Sequence, residues 1–338
     1  MQANMLFIDL PLVNEYLVNP NQRLYWVYLC GAGILTMVYW LYHKPSSNKH
    51  VKHHDVRHHD VRYHDVRYHD VKNHLRQYWL HPQSILDYKY FVVAWLIKTH
   101  LLMPLILSAK TVTTLIFNGL TYVHAPLLLP LPNWTIATIY TLMVFIFGEF
   151  SRYWLHRWLH TNPFLWQFHK VHHSATLLNP ITFYRVHPLE NLLFGLRYAL
   201  SVGMVTGICL WLFGTQLNII TIFGANALVA MFSLIGGNLR HSHIYLGYPK
   251  WLEMWFMSPA QHQLHHSVSC GHKNYGGYLS IFDNWHNTQA FSQDYAPPDT
   301  FGLTKKTDKH HRSIGNLLLQ PFFDCGAWYA KKQHAKKS

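Results

Sequence analysis

YWLHRWLHTNPFLWQFHKVHHS, residues 153–174, carries five histidines in two groups. His156 and His160 are spaced i, i+4, which on a helix puts them on one face about one turn apart. His169, His172 and His173 follow at i, i+3 and i+4, again along one helical face. The same HxxHH pattern returns in QHQLHHS as His262, His265 and His266, and NLRHSHI adds His241. Imidazole is the commonest protein metal ligand. One HxxxH among 28 histidines is a weak signal, and a lone histidine near a membrane interface is ordinarily an amphipathic surface residue. Two copies of HxxHH joined to an HxxxH point to metal.

The surrounding chain reads as a membrane protein. Half of its 338 residues are hydrophobic, and charged residues make up 13 %, about half the share of a soluble domain. A net charge of +13 would suit a nucleic-acid binder, but cytoplasmic Lys and Arg explain it more simply, and no nucleic acid is expected. Cys30 and Cys209 lie in apolar blocks, and Cys270 and Cys325 are far apart, so no disulfide framework or zinc-type CxxC pair is visible.

A crossing helix needs roughly 20 apolar residues. Five stretches qualify: 24–42, part of 90–107 with Lys98 as a blemish, 134–155, 191–213 and 217–239. Only GTQ separates the last two, which predicts a tight hairpin. The first is followed by basic residues and no small-residue cleavage site, as in an anchor. Residues 111–131 are apolar but broken by Pro126, Pro130 and Pro132, which predicts a re-entrant or interfacial piece. Lys and Arg concentrate in 43–89, 156–190 and 240–338, which the positive-inside rule places in the cytosol. The N-terminus then lies outside, with Arg23 and Lys110 among the few charges there. The two long histidine-bearing segments share one side and can meet.

A conspicuous repeat, HHDVRHHDVRYHDVRYHDVK, occupies residues 53–72. A five-residue period drifts about 140° per unit on a helix and flips faces on a strand, so neither geometry gathers its histidines. We read 44–77 as a low-complexity cytosolic loop without a catalytic role. The remaining divisions are 1–43 (N-terminal segment and first span), 78–133 (second span and interfacial segment), 134–290 (catalytic domain) and 291–338 (basic tail). The expected fold class is an all-α integral membrane protein, with about five transmembrane helices and a cytosolic helical cap carrying a histidine-rich di-metal site.

Nine imidazoles with no plausible cysteine exceed the needs of one structural zinc and suffice for two metals with about five ligands each. Imidazole suits iron, copper and zinc alike. Glu149 stands two helical turns before His156 on the same face and is read as a carboxylate that orients an imidazole.

HRWLH, HKVHH and QHQLHH, in this order, with NYGGYLSIFDNW after them, resemble the fatty acid hydroxylase and sterol desaturase superfamily over roughly residues 135–290. Glu149 and the positions Asn274, Tyr275, Gly276 and Asp283 match that pattern too. The resemblance implies an integral membrane, non-haem di-iron enzyme that uses O2 and two electrons. It implies metal roles for His156, His160, His169, His172, His173, His241, His262, His265 and His266. Two departures stand out: Asn287 where members often have glycine, and Tyr245 where some carry a tenth histidine. His187, His243 and His272 are candidate extra ligands; for His187 the plainer reading is a loop histidine held by Glu190.

Members hydroxylate, desaturate or cleave ether lipids, so a membrane lipid (sterol, fatty acyl or ether lipid) is the implied substrate. SPAQHQLHHS and KNYG lean toward the ether-lipid monooxygenase and bacterial sterol-desaturase-like branches. No HPGG segment, CxxCH or iron–sulfur cysteine set is present, so a separate cytochrome b5 or ferredoxin-type donor is implied. A bacterial inner membrane and the endoplasmic reticulum both fit. A metal transporter should carry polar ligands at mid-membrane, whereas these clusters sit at span ends. An inactive scaffold of the same family should lack box histidines, and none is missing.

Overall fold

The computed structural model describes residues 14–42, 76–222, 225–304 and 309–335. The HHDVR repeat lies outside the described residues. The chain is mostly helical. Among the described residues, three helical stretches are long and apolar enough to cross a membrane: Pro82–Val123, Asn133–Thr161 and Pro188–Phe213. We label Trp26–Tyr42 α1, Pro82–Ile97 α2, Ala109–Val123 α3, Asn133–Thr161 α4, Pro163–His173 α5 and Pro188–Phe213 α6. Ala227–Leu234 is α7, Pro259–His266 is α8, Ile281–Trp285 is α9 and Ile314–Ala335 is α10.

Several expectations change. The first span is α1, a helix of 17 residues, shorter than the three crossing stretches. The segment expected to be interfacial starts as α3, which joins α2 through a π-turn at Lys98–Leu102 and a 3-10 turn at Met103–Leu105. Helix ends only at Val123, where the prolines take over. Beyond it the backbone N–H groups of Leu127 and Leu129 donate to Trp211 and Leu212, which satisfies carbonyls at the C-terminus of α6. The expected fifth span, 217–239, is not one helix. Two short antiparallel strands, Thr221–Ile222 and Ala225–Asn226, lead into the eight-residue α7 and a 3-10 turn at Gly237–His241. Gly236 at φ 128° breaks the helix there, and Gly214 at φ 74° ends α6. The expected hairpin of two full spans is therefore absent.

The segment expected as a basic tail contains α10, 22 residues long. Leu317 is fully buried among Leu86, Tyr90 and Val171, which pins α10 to α2 and α5. Phe322 packs 5.3 Å from Phe168, and Lys170 ion-pairs with Asp324. Arg23, expected on the far side of a bilayer, instead donates to the Gly237 carbonyl beside the histidines. Asp87 of α2 ion-pairs with Arg185 at 2.8 Å and accepts from Thr182 at 2.6 Å and Asn179 at 3.2 Å. This buried knot anchors the loop that follows α5.

The α3–α6 contact rests on small residues, as membrane helices require for close approach. A Cβ on Gly203 would lie 2.5 Å from Val112, and one on Gly207 2.8 Å from Ile116. Gly203→Leu should therefore destabilise by about 1–3 kcal/mol or more, read as a lowered unfolding temperature in detergent. Gly119→Ala, where a Cβ meets nothing within 4 Å, should not lower that temperature and should raise it slightly through helix propensity.

Candidate metal centre

Asn162 ends α4 and starts α5. Its side-chain oxygen accepts from the Phe164 and Leu165 N–H groups, and Pro163 supplies the first helical residue. The turn folds α5 back so that both histidine groups of 153–174 face each other. Ser258 and Gln261 form a reciprocal capping box at the start of α8, again with proline first. His241 comes from the end of the 3-10 turn.

All nine histidines expected as ligands converge, and none is more than 9 % exposed. They form two sets. His156, His160, His169, His173 and His265 offer ring nitrogens within 4.8 Å of one another, and so do His172, His241, His262 and His266. The i, i+4 pairs stay together, 156 with 160, 169 with 173, and 262 with 266. The middle histidine of each HxxHH crosses over: His172 leaves α5 for the second set, and His265 leaves α8 for the first. The sets abut, with the His173 and His266 rings 4.5 Å apart.

The outer nitrogens explain how the rings are aimed. His156 Nδ1 lies 2.7 Å from the Tyr275 carbonyl, and His265 Nδ1 lies 2.7 Å from the Lys273 carbonyl. A carbonyl only accepts, so Nδ1 carries the proton and Nε2 presents its lone pair inward. His169 Nδ1 is 2.9 Å from Glu190 Oε1 in the same manner. Asp283 holds the carbonyl-bearing loop by accepting from the Tyr275 and Gly276 N–H groups at 2.8 and 2.7 Å. Asn274, at φ 59°, bonds Gln261 and Ala290 and so ties the loop to α8. The NYG…D stretch is thus the bracket for two of the five histidines in the first set.

Glu149 does not orient an imidazole. It accepts from the backbone N–H groups of Tyr278 and Leu279 and pairs with Arg152 at 3.5 Å. Its reach is taken by that loop, packed close over Gly277. The carboxylate that does orient an imidazole is Glu190, which the sequence reading assigned to His187. Neither set includes His187, His243 or His272. His187 caps α6 through Leu189 N–H and lies 3.1 Å from the Leu318 carbonyl. The His243 ring stacks edge-on with Tyr78 at 4.7 Å, and His272 stays 6.1 Å from His160. The two departures also resolve. Tyr245 donates to the Ser292 carbonyl as a packing residue, and Asn287 sits at φ 55°, a conformation glycine adopts freely and asparagine tolerates.

The inner nitrogens fit a cation. His241, His262 and His266 place their Nε2 atoms 3.1, 3.2 and 3.2 Å apart in a triangle. One nitrogen cannot both donate and accept, so at least one side of the triangle opposes like groups. Ligands about 2.0–2.1 Å from a shared ion would be ~3.0–3.4 Å apart, the spacing of a coordination sphere. In the first set His160 and His173 lie 3.0 and 3.2 Å from His169. His265 Nε2 is buried without a hydrogen-bond partner among the described residues.

A cavity of about 290 Å³ opens against both sets, touching His156, His169, His172, His241 and His262. Its walls include Phe91, Phe183 and Phe194, and Lys98 and Arg23 also face it. Lys98, a blemish in the hydropathy pattern, is turned inward by the π-turn.

Burial holds the His169 and His172 imidazoles down at about 3. The unfolded chain protonates them near 6.5, so stability is complete above that value and falls as pH drops toward 3. Each should cost about 1.4 kcal/mol per pH unit in that window. The metal-free protein should show a steeply falling unfolding temperature between pH 7 and 5. A flat profile would mean these rings are not buried neutral.

Comparison with known proteins gives the same picture. Residues 141–288 match the fatty acid hydroxylase family model. The chain is 26 % identical over 244 residues to a very-long-chain aldehyde decarbonylase of Oryza sativa subsp. indica, covering 64 % of this chain and 37 % of that one. It is 31 % identical over 180 residues to an ornithine lipid hydroxylase of Rhizobium tropici, covering 52 % and 48 %. An alkylglycerol monooxygenase of Danio rerio is 28 % identical over 164 residues, covering 48 % and 32 %. The chain thus spans less than half the length of each of these relatives. No solved structure matches it. The match over residues 141–288 and these relatives bear out the resemblance of that region to the fatty acid hydroxylase and sterol desaturase superfamily.

Proposed function

We propose that the chain is a membrane-bound, O2-dependent lipid oxidoreductase whose two histidine sets hold two iron ions. The observation that carries this reading is the convergence of buried ring nitrogens at ligand spacing in two adjoining sets. His156, His160, His169, His173 and His265 would hold one ion, and His172, His241, His262 and His266 the other. Iron is favoured over structural zinc by the all-nitrogen donor set and by relatives named as a hydroxylase and a monooxygenase. When bound, such a pair supplies O2 activation and hydrogen removal from a C–H bond.

The chain's own residues do the rest. Tyr275, Lys273 and Glu190 fix the tautomers, and burial keeps bulk water from the rings. The cavity touches three of the four histidines in the second set and two of the five in the first. A lipid seated there would therefore meet mainly the set with fewer donors. Electrons would come from a separate cytochrome b5 or ferredoxin-type protein. The catalytic face would be cytosolic in a multi-pass protein of the bacterial inner membrane or the endoplasmic reticulum.

Metal analysis of detergent-purified protein after expression with added iron tests this. We expect near two irons per chain, retained when residues 48–73 are deleted and reduced in His172→Ala and His265→Ala. Metal that disappears with the repeat and ignores both substitutions would overturn the reading. O2-dependent lipid product formation should follow the iron content.

A further inference from the structure

We propose that the cavity beside the histidines takes the anionic head, a carboxylate or a phosphate, of a single-chain amphiphile, with Arg23, Lys98 and Arg240 as its counter-charges. This names the substrate class of the oxidation site and rests on that reading.

Five cationic side chains line the cavity, Arg23, Lys98, Arg152, Arg197 and Arg240, against one carboxylate, Glu190. Glu190 is engaged by His169 and Arg152 by Glu149. Among the described residues, no carboxylate lies within ion-pair distance of Arg23, Lys98, Arg197 or Arg240. Arg197 is met by neutral acceptors, the Gly148 carbonyl and Ser151 Oγ, both at 2.9 Å.

Arg240 is 3 % exposed, and its hydrogen bond to the Met257 carbonyl is long at 3.4 Å. Its guanidinium lies 4.6 Å from the Tyr278 ring centre, and Arg23 lies 5.6 Å from the same centre. Two guanidinium groups therefore share one aromatic ring. Aromatic faces attract cations but do not neutralise them. A buried charge is costly until an opposite charge meets it, and an intramembrane lysine such as Lys98 ordinarily faces a partner or a functional cavity. Trp95 adds a buried indole N–H that lines the cavity without a hydrogen-bond partner among the described residues. The guanidinium fork matches carboxylate and phosphate oxygens, and the indole can only donate. Phe91, Phe183 and Phe194 leave apolar wall for the first methylenes of the chain. A neutral head would leave Arg240 buried without a counter-charge and the half-buried Arg23 and Lys98 unmatched, which selects against it.

The test uses iron-loaded, full-length protein in a neutral detergent. Binding of radiolabelled dodecanoate is measured, with unlabelled dodecanoate, dodecyl phosphate and dodecanol as competitors. Both anions should compete about tenfold or more better than dodecanol, as hydrogen bonds to charged groups imply. The stronger anion identifies the head. Arg23→Gln and Lys98→Met should each erase much of that advantage while dodecanol binding stays the same. Because Arg240→Gln could fail to fold, the wild-type ranking and these two variants carry the test. Dodecanol that competes as well as dodecanoate, or anions that bind the variants as tightly as wild type, would overturn the proposal. Iron content and O2-dependent product are read on the same samples. Turnover without anion preference removes the anion site alone. Anion preference without iron or product keeps that site and removes the oxidation reading.

Discussion

Ring nitrogens that face each other across 3.0–3.2 Å repel unless a proton or a cation lies between them. Six of the nine buried imidazoles, His160, His169, His173, His241, His262 and His266, are held in that relation, and much of the surrounding structure serves to hold them. Asn162 and Ser258 start the two box helices at fixed angles. Tyr275, Lys273 and Glu190 lock three outer nitrogens as donors. Asp283 and Asn274 in turn hold the loop that supplies two of those acceptors. Glu149 secures the next residues of the same loop. A carboxylate that seems poised to touch a histidine thus acts through backbone instead.

The histidine site was legible because helical spacing is a local property. Residues at i, i+3 and i+4 share a face whatever the rest of the fold does, so α4, α5 and α8 each showed in the sequence which of their histidines lie together. The partition into two sets was not legible. It depends on how α4, α5 and α8 are rotated against one another, which no single helix records. Glu190 was hidden by its nearness in sequence to His187, whereas its partner His169 lies 21 residues away.

Hydropathy misjudged three regions for physical reasons. Residues 217–239 are apolar enough for a span, but Gly236 and the paired short strands break the helix. Residues 291–338 read as a basic tail, yet Leu317 buries completely against α2 and α5. Pro321 interrupts its apolar run, and the basic residues after Tyr329 dominate the reading of its end. Arg23 and Lys98 were counted as charges for topology and as flaws in a span. Both face the cavity, and only tertiary structure shows that.

The crossing of His172 and His265 has a mechanical meaning. Helices α5 and α8 each contribute to both sets, so neither helix can turn without disturbing both. The two centres are therefore a single rigid object rather than two neighbours. A cation held by one set would fix the rotation of the helices that complete the other, and so would lower the ordering cost of filling it.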